Sequence, residues 1–444
     1  MNRLHKTVAA MTLGCKVNLY DTEVILEGFA HAGYRVVDFE DKADLYIVNT
    51  CTVTNLGDKK SRQMIRRARK QNPDALVIAC GCYAQVAPEE VARIEGVNLV
   101  VGTKDRARIL ALCEAYEPEQ GVSCFVDDIR GEKTYESTKL VGLKDRTRAF
   151  LKIQEGCDRY CTYCIIPYAR GPVRSRPPAD VLAEAQILAQ NGFKEIVLSG
   201  IHVASYGKDL ADMDLAAMIE RVHVIDGIRR IRFSSIEPGL ATDSFLGRMK
   251  RLPKVCDHFH LSLQSGCTAT LRRMNRRYTA AEYAQAVARV RQYYPNAAIT
   301  TDVIVGFPGE TDKEFRESYG FIENTGLSRL HVFPYSPKKG TPAAGFPRQV
   351  PGPVKNERAA QMLRLGEALH SAYIAGFCGQ PLRVLLEREI ETGVWEGHAE
   401  NYICVRTVSA GGDDLANTIQ NVKIRDVFAE YAVGEISEDS AGCE

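Results

Sequence analysis

The sequence predicts an α/β protein with two parallel-sheet domains followed by a small antiparallel β-barrel. Short apolar runs alternate with helix-period segments through residues 1–372, and short glycine-bounded strands fill residues 373–438. The 444 residues are also enough for several separate cores. We therefore expect domains at residues 1–140, 141–372 and 373–438.

Composition excludes several classes of protein. The formal net charge is +1, so any contact with a polyanion must come from local patches rather than from bulk charge. The N-terminal apolar run is too short for a signal-peptide core or a membrane span, which predicts a cytoplasmic protein without a membrane partner. In that compartment the 14 cysteines favour metal ligands and buried thiols over disulfides.

Residues 1–140 predict a doubly wound parallel sheet. The predicted strands and helices alternate, with strands at 8–13, 43–50, 75–79 and 98–102 and helices at about 21–32, 59–71 and 105–115. Residues 117–139 are polar and weakly patterned, which predicts a linker with one hairpin.

Three of these strands end near a cysteine, at Cys15, Cys51 and Cys82. The carboxyl ends of parallel strands share one edge of a sheet, so the three thiols are expected to converge. That geometry predicts a three-thiolate metal cluster with one open metal position. Cys80 competes with Cys82, but strand alternation turns Cys80 into the sheet packing, whereas Cys82 lies in the turn after Gly81.

Residues 141–372 predict a partial (β/α)6 barrel, with strands at 149–153, 195–198, 230–233, 258–263, 299–305 and 329–333. The carboxyl ends of barrel strands carry the chemistry. Small and polar residues at these ends suit a bound cofactor, although each segment could be an ordinary turn. The candidates for cofactor binding are Ser199, Gly200, Ser234 and Gly306.

Cys157, Cys161 and Cys164 follow the first of these strands at spacings of four and three. A short loop with this spacing can bind three corners of an iron–sulfur cube and leave the fourth iron open. Tetrahedral zinc is the alternative, but it would need a fourth Cys or His nearby, and Tyr168 and Arg170 are not zinc ligands.

Other candidate sites leave two interpretations open. Residues of the C-terminal barrel form either a stacking and charged face for RNA or part of its core: Trp395, Tyr402, Arg383, Arg388, Arg406 and Lys423. Two basic clusters either contact tRNA or are solvated: Lys59, Lys60, Arg62, Arg66, Arg67, Arg69 and Lys70, and Arg272, Arg273, Arg276 and Arg277. Four histidines near strand ends are either ligands or core residues: His202, His258, His260 and His331.

Taken together, the motifs at 13–18, 49–51, 81–85, 157–171 and 305–311 resemble those of the methylthiotransferase family of radical S-adenosylmethionine (SAM) enzymes. The resemblance implies an N-terminal methylthiotransferase domain, a central radical SAM barrel and a C-terminal TRAM barrel. The Cys-Lys-Val-Asn form of residues 15–18 resembles the branch that modifies tRNA carrying N6-threonylcarbamoyladenosine at position 37. Sister branches act on isopentenyladenosine in tRNA or on an aspartate of a ribosomal protein.

The resemblance also implies two [4Fe-4S] clusters. Cys157, Cys161 and Cys164 would hold the cluster that binds SAM, with Tyr163 near the adenine. Cys15, Cys51 and Cys82 would hold an auxiliary cluster that carries the sulfur to be methylated and delivered to adenine C2. Many superfamily members have Gly-Gly-Glu where this chain has Ser199-Gly200, and the acidic residue is absent here.

The implied partners are tRNA, a flavodoxin- or ferredoxin-type electron donor, and a sulfur donor whose identity the sequence does not reveal. An alternative from a different class is an RNA-binding protein whose cysteines hold a structural or redox-sensing cluster without turnover. The sequence opposes this alternative, because a structural cluster gains from four protein ligands and both cysteine triplets stop at three.

Overall fold

The fold comes from a computed structural model that describes residues 6–137, 147–409 and 413–437. The boundary expected between residues 140 and 141, and the expected end at residue 438, lie outside the described residues. None of the described helices has the length and apolar character that crossing a membrane requires.

The N-terminal part is a parallel sheet with strand order β2-β1-β3-β4-β5-β6. Its strands are β1 Thr7–Thr12, β2 Arg35–Val36, β3 Leu45–Thr50, β4 Leu76–Gly81, β5 Leu99–Val101 and β6 Ser123–Phe125. Its helices are α1 Lys16–His31, α2 Asn55–Gln71, α3 Cys82–Val86, α4 Pro88–Ala92 and α5 Ile109–Glu114. The predicted hairpin in residues 117–139 is wrong for the described part, where β6 extends the parallel sheet beside β5.

Helices cover both faces of this sheet because its strands are apolar on both faces. Ile25 and Phe29 of α1 pack with Ile47 on one face, while Ile65 of α2 packs with Val48 on the other. This two-sided core confirms the doubly wound prediction. Helix α1 begins at residue 16, five residues earlier than predicted, directly after Cys15.

The central part is a partial barrel of six parallel strands in chain order, which confirms the predicted (β/α)6 architecture. The six parallel strands are β7 Arg148–Glu155, β9 Glu195–Gly200, β10 Arg230–Phe233, β11 His258–His260, β12 Ala298–Val305 and β13 Arg329–Pro334. A short seventh strand, β8 Arg174–Ser175, is antiparallel. The helices of the central part are α6 Ile166–Arg170, α7 Pro178–Gln190, α8 Leu215–His223, α9 Asp243–Lys250, α10 Thr268–Arg273, α11 Ala280–Tyr293, α12 Asp312–Asn324 and α13 Gly352–Ala375.

The partial barrel has two edges, the short antiparallel β8 beside β7 and the parallel β13. Parallel bridges at Ile231–Val255 and Ile236–Leu261 join β10 to the segment that carries β11. Helix α1 of the N-terminal sheet contacts β7 and β9. The N-terminal domain therefore lies against β7 and β9. Strand β7 leads into the loop of Cys157, Cys161 and Cys164.

The C-terminal part is a closed five-stranded barrel with strand order β14-β15-β16-β18-β17. Its strands are β14 Pro381–Glu391, β15 Val394–Ala399, β16 Cys404–Val408, β17 Thr418–Val427 and β18 Ala432–Ile436. This confirms the predicted small barrel, with one difference: β16 and β18 pair in parallel.

The C-terminal barrel covers the amino ends of the central strands. Arg230 donates to the carbonyl of His398 at 2.8 Å, and Arg232 donates to that of Ala399 at 2.7 Å. The ring of Tyr402 lies 4.4 Å from the Arg232 guanidinium and 4.8 Å from the His258 ring. Tyr402 is therefore an interdomain contact rather than part of an RNA-binding face.

Trp395 is 5% exposed and belongs to the barrel core, so its ring is not available to stack on RNA. The arginines of the suggested face pair with the chain's own carboxylates: Arg388 and Arg406 with Glu396, and Arg383 with Glu400. Trp395 therefore does not belong to the suggested face, whereas an RNA-binding role for Arg383, Arg388, Arg406 and the exposed Lys423 stays a prediction.

Candidate active site

The loop that carries Cys157, Cys161 and Cys164 is closed by its own backbone. Cys157 N–H donates to Gly171 O at 3.0 Å, and Cys164 N–H donates to Cys161 O at 2.9 Å. Gly156 enters the loop at φ +72°, and a Cβ there would overlap the Pro172 carbonyl. The three thiols are thus held at the carboxyl end of β7, where the sequence placed them.

Burial and repulsion between neighbouring sulfurs disfavour the thiolate forms of Cys157 and Cys164. Burial, together with the adjacent Cys161, raises the pKa of Cys157 to about 11 and that of Cys164 to about 12. A metal cluster would supply the positive charge that three adjacent thiolates lack. The donor set therefore fits the predicted cluster.

Arg276, which the sequence grouped with possible tRNA contacts, lies at this loop instead. Its Nη1 donates to Cys161 Sγ at 3.3 Å, and its Nε donates to the Tyr278 hydroxyl at 2.8 Å. The neighbouring loop residue Thr162 is fixed by Arg273 O, to which its Oγ1 donates at 2.8 Å. Nothing local in the sequence separates an arginine beside a thiol from one on the surface.

The N-terminal thiols also converge. Cys15 is the N-cap of α1, Cys51 follows β3, and Cys82 is the first residue of α3. A Cβ on Gly14 would lie only 2.9 Å from Cys51 Sγ, so the loop of Cys15 lies directly against Cys51. The three loops therefore lie at one edge of the sheet, where the carboxyl ends of its parallel strands meet, as the sequence predicted.

Asn18 ties the three loops together. Its Nδ2 donates to Leu13 O at 2.7 Å and to Thr50 O at 3.1 Å, and its Oδ1 lies 3.9 Å from Cys82 Sγ. Each cysteine-bearing loop thus has a contact with one buried amide. This residue belongs to a quoted motif, but no spacing rule reveals its three contacts.

The electrostatics group Cys82 with the other two thiols. Burial and the neighbouring Cys15 and Cys51 raise the pKa of Cys82 to about 11 against the opposing charge of Arg170. Cys80 instead packs in the apolar core between the sheet and helices α1 and α5, where burial raises its pKa to about 12. This placement supports Cys82 as the third ligand, which stays a prediction.

Helix α6 links the two triplets. It begins two residues after Cys164 and ends at Arg170, whose Nε donates to Cys82 Sγ at 3.2 Å. Helix α6 also packs against α3, the helix that Cys82 begins. One helix of only five residues, α6, therefore lies between the two cysteine-bearing loops and forms a wall for both.

A buried ionic network holds this wall in place. Arg170 Nη1 lies 2.8 Å from Asp21 Oδ2 and 3.2 Å from both Glu155 oxygens, and Lys152 lies 2.7 Å from Asp21. Arg106 adds a third cation at 3.0 Å from Asp21. Although burial raises the pKa of Glu155, the three cations outweigh it and hold that pKa well below its usual range. These carboxylates orient Arg170 toward Cys82.

The predicted cofactor contacts have different surroundings. Ser199 is fully buried on the inner face of β9, and its hydroxyl has no hydrogen-bond partner among the described residues. Such an orphan hydroxyl is costly unless a ligand satisfies it, which supports Ser199 as a cofactor contact. Tyr163 is half-buried, with its ring edge-on to Phe307 at 6.4 Å.

The other three cofactor candidates have structural contacts of their own. A Cβ on Gly200 would lie 2.9 Å from the Gln154 side chain, whose Oε1 accepts from His202 N–H at 2.7 Å. Gly306 N–H donates to a Glu310 carboxylate oxygen at 2.8 Å, and Ser234 N–H donates to Leu198 O at 2.9 Å. Their assignment to a cofactor stays a prediction.

Glu237 is a carboxylate close to the loop of Cys157, Cys161 and Cys164, in a chain that lacks an acidic residue at Ser199-Gly200. It lies just past β10, 2.5 Å from Arg159 and 3.6 Å from both Arg276 and His202. Although burial raises the pKa of Glu237, its cationic neighbours lower it to about 2. The segment after β10 therefore places an ionised carboxylate beside the loop of Cys157, Cys161 and Cys164.

A cleft of about 1110 Å³ opens beside both triplets. Its walls include Tyr83, which follows Cys82, and Ile165, which follows Cys164, as well as Arg62 and Lys338. Among the described residues, no group of His, Cys, Asp and Glu side chains is arranged to bind a single metal ion. Thiolates that each bind a different iron of a cube need not meet that condition.

Two family models match the chain. The Radical SAM superfamily model matches residues 151–322, and the model described as Uncharacterized protein family UPF0004 matches residues 7–102. They cover most of the partial barrel and most of the N-terminal sheet, and each contains one cysteine triplet.

Similar proteins cover almost the whole chain. The chain is 44% identical over 434 residues to threonylcarbamoyladenosine tRNA methylthiotransferase MtaB of Bacillus subtilis, which covers 97% of this chain and 96% of the relative. It is 37% identical over 384 residues to tRNA-2-methylthio-N(6)-dimethylallyladenosine synthase of Acetivibrio thermocellus, covering 85% and 79%. Among solved structures, the radical SAM methyltransferase TsrM of Kitasatospora setae shares the fold at TM-score 0.55 and 15% identity, over 76% of this chain and 75% of that one.

Proposed function

This chain belongs to the radical SAM methylthiotransferase family, and from that premise we propose that it transfers a methylthio group to C2 of N6-threonylcarbamoyladenosine at tRNA position 37. The family implies a [4Fe-4S] cluster and SAM. The substrate follows from the relative of 44% identity, whose name specifies threonylcarbamoyladenosine in tRNA.

We assign the SAM-binding cluster to Cys157, Cys161 and Cys164, and a second [4Fe-4S] cluster to Cys15, Cys51 and Cys82. When bound, these groups supply the radical that activates adenine C2 and the sulfur that is methylated and delivered. The chain's own residues then have to hold the two groups close together and keep water away.

The observation that carries the proposal is the contact between α6 and Cys82. Because α6 starts two residues after Cys164 and its Arg170 donates to Cys82 Sγ at 3.2 Å, one short helix brings the two triplets close together. A reaction that combines a radical from one cluster with sulfur from the other requires such proximity. A structural or sensing cluster would gain nothing from an open neighbour.

Four residues position the reacting groups. Arg276 and Arg170 each donate to one ligand sulfur, which stabilises a thiolate in a buried site. The unpartnered hydroxyl of Ser199 and the carboxylate of Glu237 suit the polar groups of SAM at the strand ends.

The tRNA is proposed to contact the exposed cations of α2. Lys59, Lys60, Arg66 and Lys70 are exposed there, whereas Arg67 pairs with Glu40. Such contacts position the nucleic acid without reading the base. Reduced thiolates and a tRNA substrate fit a cytoplasmic reaction that needs a low-potential electron donor of flavodoxin or ferredoxin type and a separate sulfur donor.

An anaerobic turnover assay tests the proposal. Protein reconstituted with iron and sulfide is reduced and given SAM and tRNA bearing threonylcarbamoyladenosine, and the digested nucleosides are analysed by mass spectrometry. We expect a mass gain equal to a methylthio group, and loss of that product together with 5′-deoxyadenosine in Cys157→Ala.

Two further variants form a matched pair. Cys82→Ser should form 5′-deoxyadenosine without methylthiolation, and Cys80→Ser should keep both activities because Cys80 lies in the apolar core. The proposal is wrong if fully iron-loaded wild-type protein makes 5′-deoxyadenosine but leaves this nucleoside unchanged. The assignment of the second cluster is wrong if Cys80→Ser, and not Cys82→Ser, loses transfer.

A further inference from the structure

The interior of the partial barrel, which we call the lumen, is polar. Along β7, Ala149 and Leu151 pack into the core beneath the helices, so Phe150 faces the lumen. The same alternation turns one set of side chains on β11, β12 and β13 inward: His258, His260, Thr300, Asp302 and His331. The proposed chemistry takes place at the carboxyl ends of these strands, so the lumen borders the reacting groups.

The lumen groups are partly paired with one another. Thr300 Oγ1 lies 3.0 Å from His260 Nδ1 and 3.1 Å from His258 Nε2. The rings of His260 and His331 stack with centroids 5.6 Å apart. Asp302 Oδ2 lies 3.3 Å from His260 Nε2. Asp302, the one carboxylate among these lumen residues, is thus already paired with His260.

Lys16 enters the lumen from the N-terminal domain. It is the first residue of α1, directly after Cys15, and its Nζ lies 5.6 Å from the centroid of the Phe150 ring. Burial is the main cause that lowers the pKa of His258 and of His331, and the Lys16 charge lowers both further. Lys16 is exposed, and no carboxylate of the described chain lies within ion-pair distance of it.

An exposed ammonium in this position is available to a ligand. It follows Cys15, one of the thiols proposed to hold the sulfur-bearing cluster, and its charge acts on His258 and His331 of the lumen. C2 and C6 of adenine are both bonded to N1, so a base whose C2 faces sulfur held at Cys15 projects its N6 substituent from a nearby ring position, where a side chain next to Cys15 can meet it. The chemistry of Lys16 therefore bears on which substituent is accepted.

We propose that Lys16 binds the carboxylate of the threonyl group and so selects tRNA whose position-37 adenosine carries an acidic N6 substituent over tRNA whose adenosine carries an apolar one. This inference rests on the proposed function and adds the residue that reads its substrate. A carboxylate gains a charge-assisted hydrogen bond from the ammonium. A dimethylallyl group would leave the ammonium desolvated and unpaired, which is unfavourable.

Two other roles for Lys16 make different predictions. The ammonium could offset the negative charge of the neighbouring cluster, or it could contact a backbone phosphate. Either role would weaken binding of every substrate equally when Lys16 is replaced. Only a contact with the threonyl carboxylate makes the loss depend on the charge of that group.

A double-mutant cycle between enzyme and substrate separates these roles. The substrates are two anticodon stem-loop RNAs, one with threonylcarbamoyladenosine and one with its methyl ester, which lacks the negative charge. Reconstituted wild-type protein and the variants Lys16→Gln and Lys16→Arg are compared at equal iron content. Binding is measured by fluorescence anisotropy without reductant, and kcat/KM is measured with reductant present.

We expect wild-type protein to bind the acid roughly ten- to a hundredfold more tightly than the ester, the size of one charge-assisted hydrogen bond. Lys16→Gln should bind both RNAs with the same weak affinity, and Lys16→Arg should keep much of the preference. Methylthiolation should show the same pattern in KM.

Two results would overturn the inference, and they can be told apart. If wild-type protein methylthiolates the acid but Lys16→Gln keeps the full preference for acid over ester, the function stands and Lys16 does not read the carboxylate. If wild-type protein neither prefers nor modifies the threonylcarbamoylated RNA, the proposed function fails and the inference fails with it.

Discussion

Replacing Arg170 by lysine should lower the reduction potential of the auxiliary cluster that we propose at Cys15, Cys51 and Cys82. Arg170 is fully buried and divides its donors between two kinds of partner. Its Nε donates to Cys82 Sγ at 3.2 Å, while its Nη1 lies 2.8 Å from Asp21 and 3.2 Å from Glu155. A lysine has a single ammonium, which should stay with the two carboxylates and give up the sulfur. The variant therefore removes one N–H···S bond and keeps the charge.

The size of the effect follows from that bond. Reduction adds negative charge to a cluster and its thiolates, so a hydrogen-bond donor on a ligand sulfur stabilises the reduced state. If the bond is stronger by about 1 kcal/mol in the reduced state, a fraction of a charge-assisted hydrogen bond, its loss lowers a one-electron potential by about 40 mV. The shift should be confined to the cluster proposed for Cys82.

The assay is a redox titration followed by electron paramagnetic resonance. A background in which Cys157, Cys161 and Cys164 are all alanine leaves only the auxiliary cluster to observe. Arg176→Lys is the matched control, because Arg176 is also fully buried and donates to a carboxylate, that of Glu184 at 2.6 Å. An unchanged potential in Arg170→Lys, or an equal shift in Arg176→Lys, would refute the reasoning.

Three further predictions concern stability and tRNA binding. Although burial raises the pKa of Glu237, its cationic neighbours lower it to about 2 from the usual 4.5. Its contribution to stability is therefore complete above about pH 4.5 and lost as the pH falls through 2, so urea titrations of Glu237→Gln should show less loss of unfolding free energy over that range than wild-type protein. Lys338→Met breaks the buried ion pair with Asp58 that joins α2 to the central domain, and should lower the unfolding free energy by about 3 kcal/mol. Replacing Lys59 and Lys60 together by alanine should reduce the slope of log affinity for tRNA against log salt by about 1.5.

Two of these predictions have a control in the same chain, and the third has a contradicting outcome. Arg425→Gln removes an exposed pair with Glu435 and should change the unfolding free energy by less than about 1 kcal/mol. An equal loss in Lys338→Met would show that the buried pair contributes no more than an exposed one. Arg67→Ala should change the salt slope less than the double variant, because Arg67 is already paired with Glu40. A pH profile of Glu237→Gln that matches wild type would contradict the ionised carboxylate.

The sequence by itself determined the order of the three architectures and the convergence of the cysteines. Strand ends can be located from apolar runs, and parallel connectivity places those ends at one edge, so Cys15, Cys51 and Cys82 were expected to meet. The end of β4 at Gly81 likewise separated Cys80, inside the strand, from Cys82, which follows the strand. These predictions depend on local periodicity and on the topology of parallel sheets, and both can be obtained from one chain.

Only the tertiary structure decided which side chains surround the thiols. Arg170 meets Cys82 across 88 residues and Arg276 meets Cys161 across 115, distances over which no periodic pattern carries information. Trp395 looked equally suited to RNA and to a core, and only the closure of the C-terminal barrel buried it. Lys16 stood in a recognised motif, but its place in the lumen depends on α1 packing against the strands of another domain. Contacts of this kind arise from how domains dock, which the local sequence does not specify.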